Sequence, residues 1–177
     1  ATREMGKTLV SSAAEVDKCA LCCEHYATHA AVLLADEPVP AAAGETQAMH
    51  VQFDPLGVLL AIMPWNFPYW QAFRAAAPAL AAGNTVALKH ASNVSGCALA
   101  MQQLWLDAGL PEHAFTVLLV QGAQASALAA HPAVAALTLT GSEGAGAEVA
   151  SVAGRALKKI VLELGGSDPF IVLADAD

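Results

Sequence analysis

Basic residues are scarce in this sequence. Among its 177 residues, Lys and Arg number 8 and Asp and Glu number 16, so the formal net charge at pH 7 is -8. Proteins that bind nucleic acid contact phosphates through clusters of Lys and Arg, and this sequence contains no such cluster. The composition therefore argues against a nucleic-acid partner.

Long hydrophobic runs are also lacking, although hydrophobic residues make up 56% of the sequence and mean hydropathy is +0.48. No run approaches the roughly 18 uninterrupted apolar residues of a helix that spans a bilayer, and much of the apolar content is alanine. We therefore expect no membrane partner. Because large exposed apolar patches usually mark interfaces, the composition predicts a further domain or partner subunits, and we expect a homo-oligomer.

The four cysteines form no complete set of metal ligands. Cys19 and Cys22 have the spacing of half a zinc site, but no second Cys or His pair with ligand spacing follows. We therefore expect no metal site and assign packing roles to these residues and to Cys23 and Cys97. No secretory signal stands ahead of them in this sequence, which favours a reducing compartment, the cytoplasm.

The first 35 residues predict one long amphipathic helix, because apolar side chains recur at helical spacings. These side chains are Met5, Leu9, Val16, Cys19, Cys23 and Tyr26. Residues 36–56 predict a connector, rich in Pro and Ala over 36–44 and loosely alternating over 45–53 like a half-exposed strand. The helix has no clear N-cap, and a last apolar run over 170–173 is followed by no helix. The sequence is therefore expected to be part of a larger domain.

Residues 57–177 alternate between short apolar runs and helix-like segments. The runs cover residues 58–63, 85–89, 115–120, 135–140 and 160–164, and the clearest helical patterns cover 70–80 and 98–108. Because the runs are continuously apolar rather than alternating, they indicate strands buried on both faces of a parallel sheet. The predicted fold class is α/β, a Rossmann-like parallel sheet with helices on both faces.

Two short motifs follow predicted strands at the sheet edge where ligands bind in open parallel sheets. Pro64-Trp65-Asn66-Phe67-Pro68 comes directly after the first run. Gly141-Ser142-Glu143-Gly144-Ala145-Gly146 comes after the fourth run and opens a helix, so free backbone N–H groups there could receive a phosphate. The alternative is that these glycines only make a tight turn, since their order is not that of the dinucleotide fingerprint.

A third motif is the carboxylate of Glu163 in the last predicted strand. A buried lone carboxylate costs several kcal/mol unless it is paired or functional. A salt bridge with Lys158 or Lys159 is the alternative to a functional role.

Together, these motifs resemble those of the aldehyde dehydrogenase superfamily, with Leu162-Glu163-Leu164-Gly165-Gly166 as the carboxylate motif. Leu88-Lys89-His90-Ala91-Ser92-Asn93 and the segment 165–170 are similar to the succinate-semialdehyde dehydrogenase branch. The resemblance covers residues 3–177, nearly all of this chain but only the middle part of a family member. It implies that residues 1–177 are an NAD(P)-binding domain fragment.

The resemblance implies an activity and partners for the full-length protein. The activity is the NAD(P)-dependent oxidation of an aldehyde to a carboxylic acid, with succinate semialdehyde as the aldehyde and succinate as the product. The partners are NAD or NADP and a small aldehyde. The resemblance further implies that residues 36–56 form an oligomerisation arm that pairs across subunits.

Catalytic roles are implied for Asn66 and Glu163. Asn66 matches a residue whose side-chain N–H donates to the oxyanion formed when the aldehyde is attacked. On the residues alone, Asn66 could instead be a turn residue. Glu163 matches the general base that activates water for thioester hydrolysis and helps to deprotonate the nucleophile.

A set of cofactor contacts is also implied at the strand ends. These residues are Met63, Pro64, Trp65, Asn66, Lys89, His90, Ala91, Ser92, Gly122, Gly141, Ser142 and Leu164. On the sequence alone, Trp65 could be a core aromatic and Lys89 a surface lysine. His90, His113 and His131 lie beside turns, where surface histidines are expected.

Ser92 bears on the choice between NAD and NADP. The resemblance places Lys89 at the adenosine ribose and Ser92 where members that strongly prefer NAD often carry a glutamate. A carboxylate would repel a 2'-phosphate, whereas a serine hydroxyl can donate to it, so NADP should be tolerated. The preference between the two cofactors stays open.

The resemblance places the nucleophilic cysteine beyond Asp177, and none of the four cysteines matches its motif. We therefore expect the domain that carries this cysteine to be absent and the chain alone to be inactive. The alternative to an enzyme is a noncatalytic nucleotide-binding or assembly module.

Overall fold

The computed structural model describes residues 1–40 and 48–176. In chain order, the helices and strands are α1 (Thr2–Met5), α2 (Leu9–Leu33), β1 (Glu37–Val39), β2 (Met49–Val51), β3 (Val58–Met63), α3 (Trp70–Ala81), β4 (Thr85–His90), α4 (Ser95–Asp107), β5 (Phe115–Val117), α5 (Gly122–Ala129), β6 (Val134–Gly141), α6 (Glu143–Arg155) and β7 (Lys159–Leu164). A short 3-10 turn, Ser92–Val94, precedes α4.

Five parallel strands form the central sheet, in the order β5-β4-β3-β6-β7. β3 pairs with β4 on one side and with β6 on the other. β4 and β5 therefore follow on one side of β3, and β6 and β7 follow on the other side, so the direction in which strands are added reverses between β5 and β6. Ligands in open α/β sheets bind outside the carboxyl ends of the strands at such a reversal.

Helices cover both faces of this sheet, which confirms the predicted fold class. Alternate side chains of β3 face opposite ways, with Ala61 and Met63 on one side and Leu60 and Ile62 on the other. On the first side they pack against α3 and α4, and α2 packs outside α3 through Cys19. On the second side they pack against α5 and α6 through residues such as Ala129, Val149 and Ala153.

The N-terminal segment is two helices, so the prediction of one long helix is wrong. Gly6 adopts φ 78°, a left-handed conformation that ends α1, and glycine reaches it without the strain that a Cβ brings. Thr8 then caps α2, because its Oγ1 accepts a hydrogen bond from the Ser11 N–H at 3.2 Å. The start of α1 has no side-chain cap, as expected of the predicted helix, whereas the cap of α2 at Thr8 was not predicted.

Residues 36–56 contain two short antiparallel strands, with Glu37 opposite Val51 and Val39 opposite Met49. The prediction placed a strand only within 45–53, so it missed β1. Residues 41–47 lie outside the described part of the chain. The role of residues 36–56 as an oligomerisation arm stays a prediction.

The predicted strands at 58–63, 85–89, 135–140 and 160–164 all occur, with ends that differ by one residue at most. The fifth, predicted over 115–120, ends at Val117. The apolar run 170–173 forms no strand, and Phe170 there is 91% exposed. Within residues 1–40 and 48–176, no helix combines the length and hydropathy that crossing a bilayer requires.

Candidate functional site

The carboxyl ends of β3, β6 and β7 enclose a cleft of about 510 Å³ that we call the Asn66 cleft. It is lined by Pro64, Trp65, Asn66, Gln71, Thr140, Gly141, Ser142, Glu163, Leu164, Gly165 and Gly166. The three sequence motifs thus meet at one place. They do so because parallel strands end at the same edge of a sheet.

Asn66 and Trp65 are exposed at the mouth of this cleft. The Oδ1 of Asn66 accepts a hydrogen bond from the Phe67 N–H at 3.1 Å, which leaves its amide NH₂ as a donor. Trp65 is 50% exposed, so it is a cleft residue and not a core aromatic. Met63 ends β3 with its side chain 2% exposed in the core, so only its backbone can face a ligand.

Glu163 contacts Arg74 of α3, with Oε1 3.2 Å from Nη1. The second guanidinium nitrogen of Arg74 donates to Thr140 Oγ1 at 3.1 Å and to Gln71 Oε1 at 3.3 Å. The side chain of Glu163 is 53% exposed, so the expectation of a buried carboxylate is wrong. The alternative of a salt bridge is found, but its partner is Arg74 and not Lys158 or Lys159, and Lys158 instead donates to the His131 carbonyl.

Helix α6 begins beside the cleft, and its first turn has room for an anion. Ser142 is the N-cap, with its Oγ 3.3 Å from the Ala145 nitrogen, and the first helical bond runs from the Gly146 N–H to the Ser142 carbonyl. The N–H groups of Glu143 and Gly144 precede that bond, so the helix supplies them no acceptor. A Cβ at Gly144 would meet no atom within 4 Å. The exposed carboxylate of Glu143 opposes an anion at the same turn.

Gly146 is a structural residue of this site that the sequence analysis did not single out. It is buried, and a Cβ at this position would overlap the Leu164 side chain of β7. Glycine therefore lets α6 approach β7 closely enough to place Ser142 beside Glu163. The signal that could have found it is the position of the glycine one turn inside the helix.

A second cleft, which we call the Ser92 cleft, lies at the carboxyl ends of β4 and β5 and measures about 200 Å³. It is lined by His90, Ser92, Ser95, Leu118, Leu119, Val120 and Gln121. Gly122 follows Gln121 and begins α5, and Ala91 lies between His90 and Ser92. The predicted cofactor residues of the β4 end and of α5 therefore lie together, and Lys89 precedes them as a half-buried side chain.

His90 is 6% exposed, so the prediction of a surface histidine is wrong at this position. Its Nδ1 accepts from the Ala91 N–H at 2.9 Å, so Nε2 carries the proton and donates to the Pro68 carbonyl at 2.8 Å. Burial lowers the pKa of His90 and keeps the ring neutral. His90 thus ties the end of β4 to the segment that carries Asn66. His113 and His131 are exposed as predicted.

The cysteines lie away from both clefts. Cys19, Cys22 and Cys23 are in α2, Cys97 is in α4, and all four are free thiols. Burial raises the pKa of Cys19 to about 12, which makes this thiol a poor nucleophile at neutral pH. Over the described ranges, no three His, Cys, Asp or Glu side chains are arranged to hold a metal ion.

Comparisons with known proteins agree with this arrangement. The family model described as the aldehyde dehydrogenase family matches residues 1–177. The chain is 57% identical, over 99% of its length, to a probable NADP(+) succinate-semialdehyde dehydrogenase of Synechocystis sp., of which it covers 38%. It is 54% identical to succinate-semialdehyde dehydrogenase [NADP(+)] 1 of Mycobacterium tuberculosis, with the same two coverages of 99% and 38%.

Solved structures give the same result. The succinic semialdehyde dehydrogenase from Streptococcus pyogenes, solved with NADP+, superposes with a TM-score of 0.90 at 41% identity over 99% of this chain and 38% of that one. PnpE, solved with nicotinamide adenine dinucleotide, gives 0.79 at 33% identity over 86% of this chain and 31% of that one. The chain thus spans about 38% of the length of the curated relatives that it matches. On sequence and on fold, the chain belongs to the aldehyde dehydrogenase family.

Proposed function

We propose that residues 1–177 form the NAD(P)-binding part of an enzyme that oxidises succinate semialdehyde to succinate. The observation that carries this proposal is the Asn66 cleft, where an amide donor from the end of β3 and a carboxylate from β7 share one cavity with the first turn of α6. Two relatives of this chain are named as NADP(+) succinate-semialdehyde dehydrogenases, which supports the choice of substrate and cofactor.

The first turn of α6 would hold the pyrophosphate of the cofactor, through Ser142 and the N–H groups of residues 143 and 144. The Ser92 cleft would hold the adenosine end, with Lys89 and Ser92 at the ribose. Among the residues that the structure describes, none that lines that cleft carries a carboxylate, so these residues do not repel a 2'-phosphate. A bound nicotinamide ring would serve as the hydride acceptor.

Asn66 acts in this proposal as the oxyanion donor. Its Oδ1 is engaged by the Phe67 N–H, so the amide NH₂ is free to donate to the oxygen of the aldehyde as negative charge develops on it. Glu163 takes a proton from the attacking water, and Arg74 orients its carboxylate from the α3 side. The thiol that holds the substrate comes from outside residues 1–177, because no cysteine of this chain lines the Asn66 cleft.

The whole protein is proposed to be a homo-oligomer in the cytoplasm. Apolar side chains at Val39, Met49, Val51 and Phe53 are each 40% to 46% exposed, as expected of a surface that a second subunit covers. Four free thiols fit a reducing compartment.

The test is NADPH formation by the full-length protein with succinate semialdehyde and with longer and uncharged aldehydes. Changing Asn66 to Ala should lower kcat about 100-fold to 1,000-fold, because one oxyanion donor is lost. Glu24→Gln, an exposed change on α2, is the control and should leave kcat intact. The proposal fails if Asn66→Ala keeps wild-type kcat.

A noncatalytic nucleotide-binding or assembly module is the second candidate, favoured by the absence of a cysteine from the lining of the Asn66 cleft. Such a module would bind NADP in the full-length protein and yet form no NADPH with any aldehyde. The same assay therefore separates the two candidates.

A further inference from the structure

An ion pair between Lys7 and Glu15 is buried beneath the segment that carries Asn66. The side chain of Glu15 is 1% exposed and that of Lys7 is 10% exposed. Lys7 lies between α1 and α2, and Glu15 lies in the second turn of α2. Removing two charges from water costs as much as their attraction returns, so such a pair adds little to stability by itself. The contacts that the pair makes with its surroundings are therefore the features to explain.

Glu15 caps a helix that is 54 residues away in sequence. Its Oε1 accepts hydrogen bonds from the Tyr69 N–H at 2.7 Å and from the Trp70 N–H at 2.9 Å. These groups stand at the start of α3, where Tyr69 itself provides no side-chain cap. A carboxylate at a helix N-terminus is favourable both as an acceptor and through the helix dipole. Glu15 thus fixes the beginning of α3.

Lys7 acts on the residue next to Asn66. Its Nζ lies 3.8 Å from the centre of the Phe67 ring, a cation-π contact, while it also pairs with Glu15. His90 holds the Pro68 carbonyl at 2.8 Å. Residues 67 to 70 are therefore each held by a side chain from another part of the chain.

Phe67 in turn sets the orientation of the Asn66 amide. The Phe67 N–H donates to Asn66 Oδ1 at 3.1 Å, and this bond decides which end of the amide is free to donate into the cleft. A shift of Phe67 would therefore rotate or release the donor. Oxyanion stabilisation is sensitive to such shifts, because the donor must already be in place when charge develops.

We propose that Lys7 and Glu15 are positioning residues that hold the Asn66 amide in its donating orientation, although neither lines the Asn66 cleft. This inference rests on the proposed oxyanion role of Asn66. It predicts that the pair affects the chemical step and leaves cofactor affinity unchanged, because the residues that the pair contacts, Phe67, Tyr69 and Trp70, line neither cleft.

The test uses the full-length protein with Lys7→Met, Lys7→Arg, Glu15→Gln, Asn66→Ala and the double variant Glu15→Gln/Asn66→Ala. Glu15→Gln and Lys7→Met should each lower kcat about tenfold to 100-fold, as expected for a misplaced catalytic group. The KM for NADP should stay within about twofold of wild type. Lys7→Arg keeps the cation over Phe67 and should retain kcat. Glu24→Gln again serves as the control on α2.

The double variant separates positioning from general damage to the fold. In the Asn66→Ala background, Glu15→Gln should cause no further loss of kcat, because the group that it positions is gone. The inference is overturned if Glu15→Gln lowers kcat by the same factor in both backgrounds, or if Glu15→Gln and Lys7→Met both keep wild-type kcat.

Hydrogen exchange distinguishes failure of this inference from failure of the proposed function. If Asn66→Ala keeps wild-type kcat, the oxyanion role fails, and the amides of Phe67, Tyr69 and Trp70 then decide the positioning claim. Faster exchange of these amides in Lys7→Met and Glu15→Gln supports it. The amides of Gly96 and Cys97, which donate to Glu4, are the reference and should exchange at the wild-type rate. Wild-type exchange rates at all three amides overturn it.

Discussion

Arg74 and Glu163 are 89 residues apart in the sequence, and their side chains meet at 3.2 Å beside the Asn66 cleft. Both are partly exposed, at 32% and 53%, so the pair contributes at most about 1 kcal/mol to stability. The role of this ion pair is therefore to orient the Glu163 carboxylate. A guanidinium group has hydrogen-bond donors and no acceptor, so Arg74 can orient the Glu163 carboxylate but cannot accept a proton from it.

Ser92 gives the first residue-scale prediction. Wild-type affinities for NADP and NAD should differ by less than about tenfold, or 1.4 kcal/mol, because a hydroxyl neither repels the 2'-phosphate nor attracts it as a cation would. Ser92→Glu should weaken NADP binding by about tenfold or more and leave NAD binding unchanged, since the carboxylate repels only the phosphate. Isothermal titration calorimetry measures both affinities.

Ser92→Gln is the matched control, because glutamine has the size of glutamate without its charge. It should weaken NADP much less than Ser92→Glu does. Equal weakening of both cofactors by the Glu variant would mean that Ser92 does not face the ribose.

Sequence reasoning could place Asn66, Ser142 and Glu163 together, because each follows or ends a strand of one parallel sheet. It could not find Arg74, Lys7 or Glu15. Their partners are 89, 60 and 54 residues away, and nothing in the local sequence pattern shows which polar side chain faces inward. It also misjudged His90, because the ring contacts the Pro68 carbonyl, 22 residues away in the sequence, and local spacing does not reveal such a contact.

At the scale of elements, the contact of α6 with β7 depends on Gly146. Gly146→Ala should destabilise the fold by about 1 to 3 kcal/mol, because the added methyl overlaps Leu164. Gly154→Ala, in the same helix with no atom within 4 Å of the added Cβ, should stabilise it by up to about 1 kcal/mol. Urea unfolding of both variants is the check, and equal effects of the two would contradict this packing.

Glu4 makes a second contact of the kind made by Glu15, accepting from the Gly96 and Cys97 N–H groups at 2.8 Å each. Burial alone would raise the pKa of Glu4, but the hydrogen bonds from Cys97 and Gly96 outweigh it and lower the pKa below 4.5. A carboxylate with a lowered pKa stabilises the fold above its unfolded pKa, and this stabilisation is lost as pH falls through the folded pKa.

Glu4→Gln should therefore be less stable than wild type by about 1 kcal/mol at pH 7. The difference should shrink as the pH falls through the lowered folded pKa of Glu4, because the wild-type carboxylate then becomes protonated. Denaturant unfolding at several pH values measures it, with the 81%-exposed Glu112→Gln as the control. A difference that stays constant over the whole acid range in which the fold persists would show that the Glu4 charge does not cap α4.

The elements that were predicted well are those whose signal is local. Four strands were predicted within one residue because each contains a short apolar run. β3, β4 and β6 are covered on both faces, whereas β7 is an edge strand with Val161 59% exposed. β5, which pairs only with β4, ends at Val117, and Leu118 to Val120 line the Ser92 cleft instead. The break between α1 and α2 was missed because the left-handed conformation of Gly6 leaves the apolar spacing unchanged.

At the scale of the whole molecule, the exposed apolar side chains predict association. We expect the chain to sediment as a dimer or larger species at micromolar concentration, because Val51 and its neighbours on β1 and β2 leave apolar area in water. Val51→Glu should shift the chain toward monomer. Val172→Glu tests whether the exposed C-terminal segment also contributes to association. A wild-type chain that sediments as a single monomer contradicts the prediction.

The central claim is that Asn66 and Glu163 serve successive steps in one cleft, and rapid-mixing measurement of NADPH formation by the full-length protein tests it most directly. Glu163→Gln should give a first turnover of about one NADPH per site and then a slow steady rate, because the hydrolysis that follows NADPH formation has lost its base. Asn66→Ala should slow the first turnover itself about 100-fold to 1,000-fold. An unchanged first turnover in Asn66→Ala, or a Glu163→Gln variant whose steady rate equals that of wild type, would contradict the account.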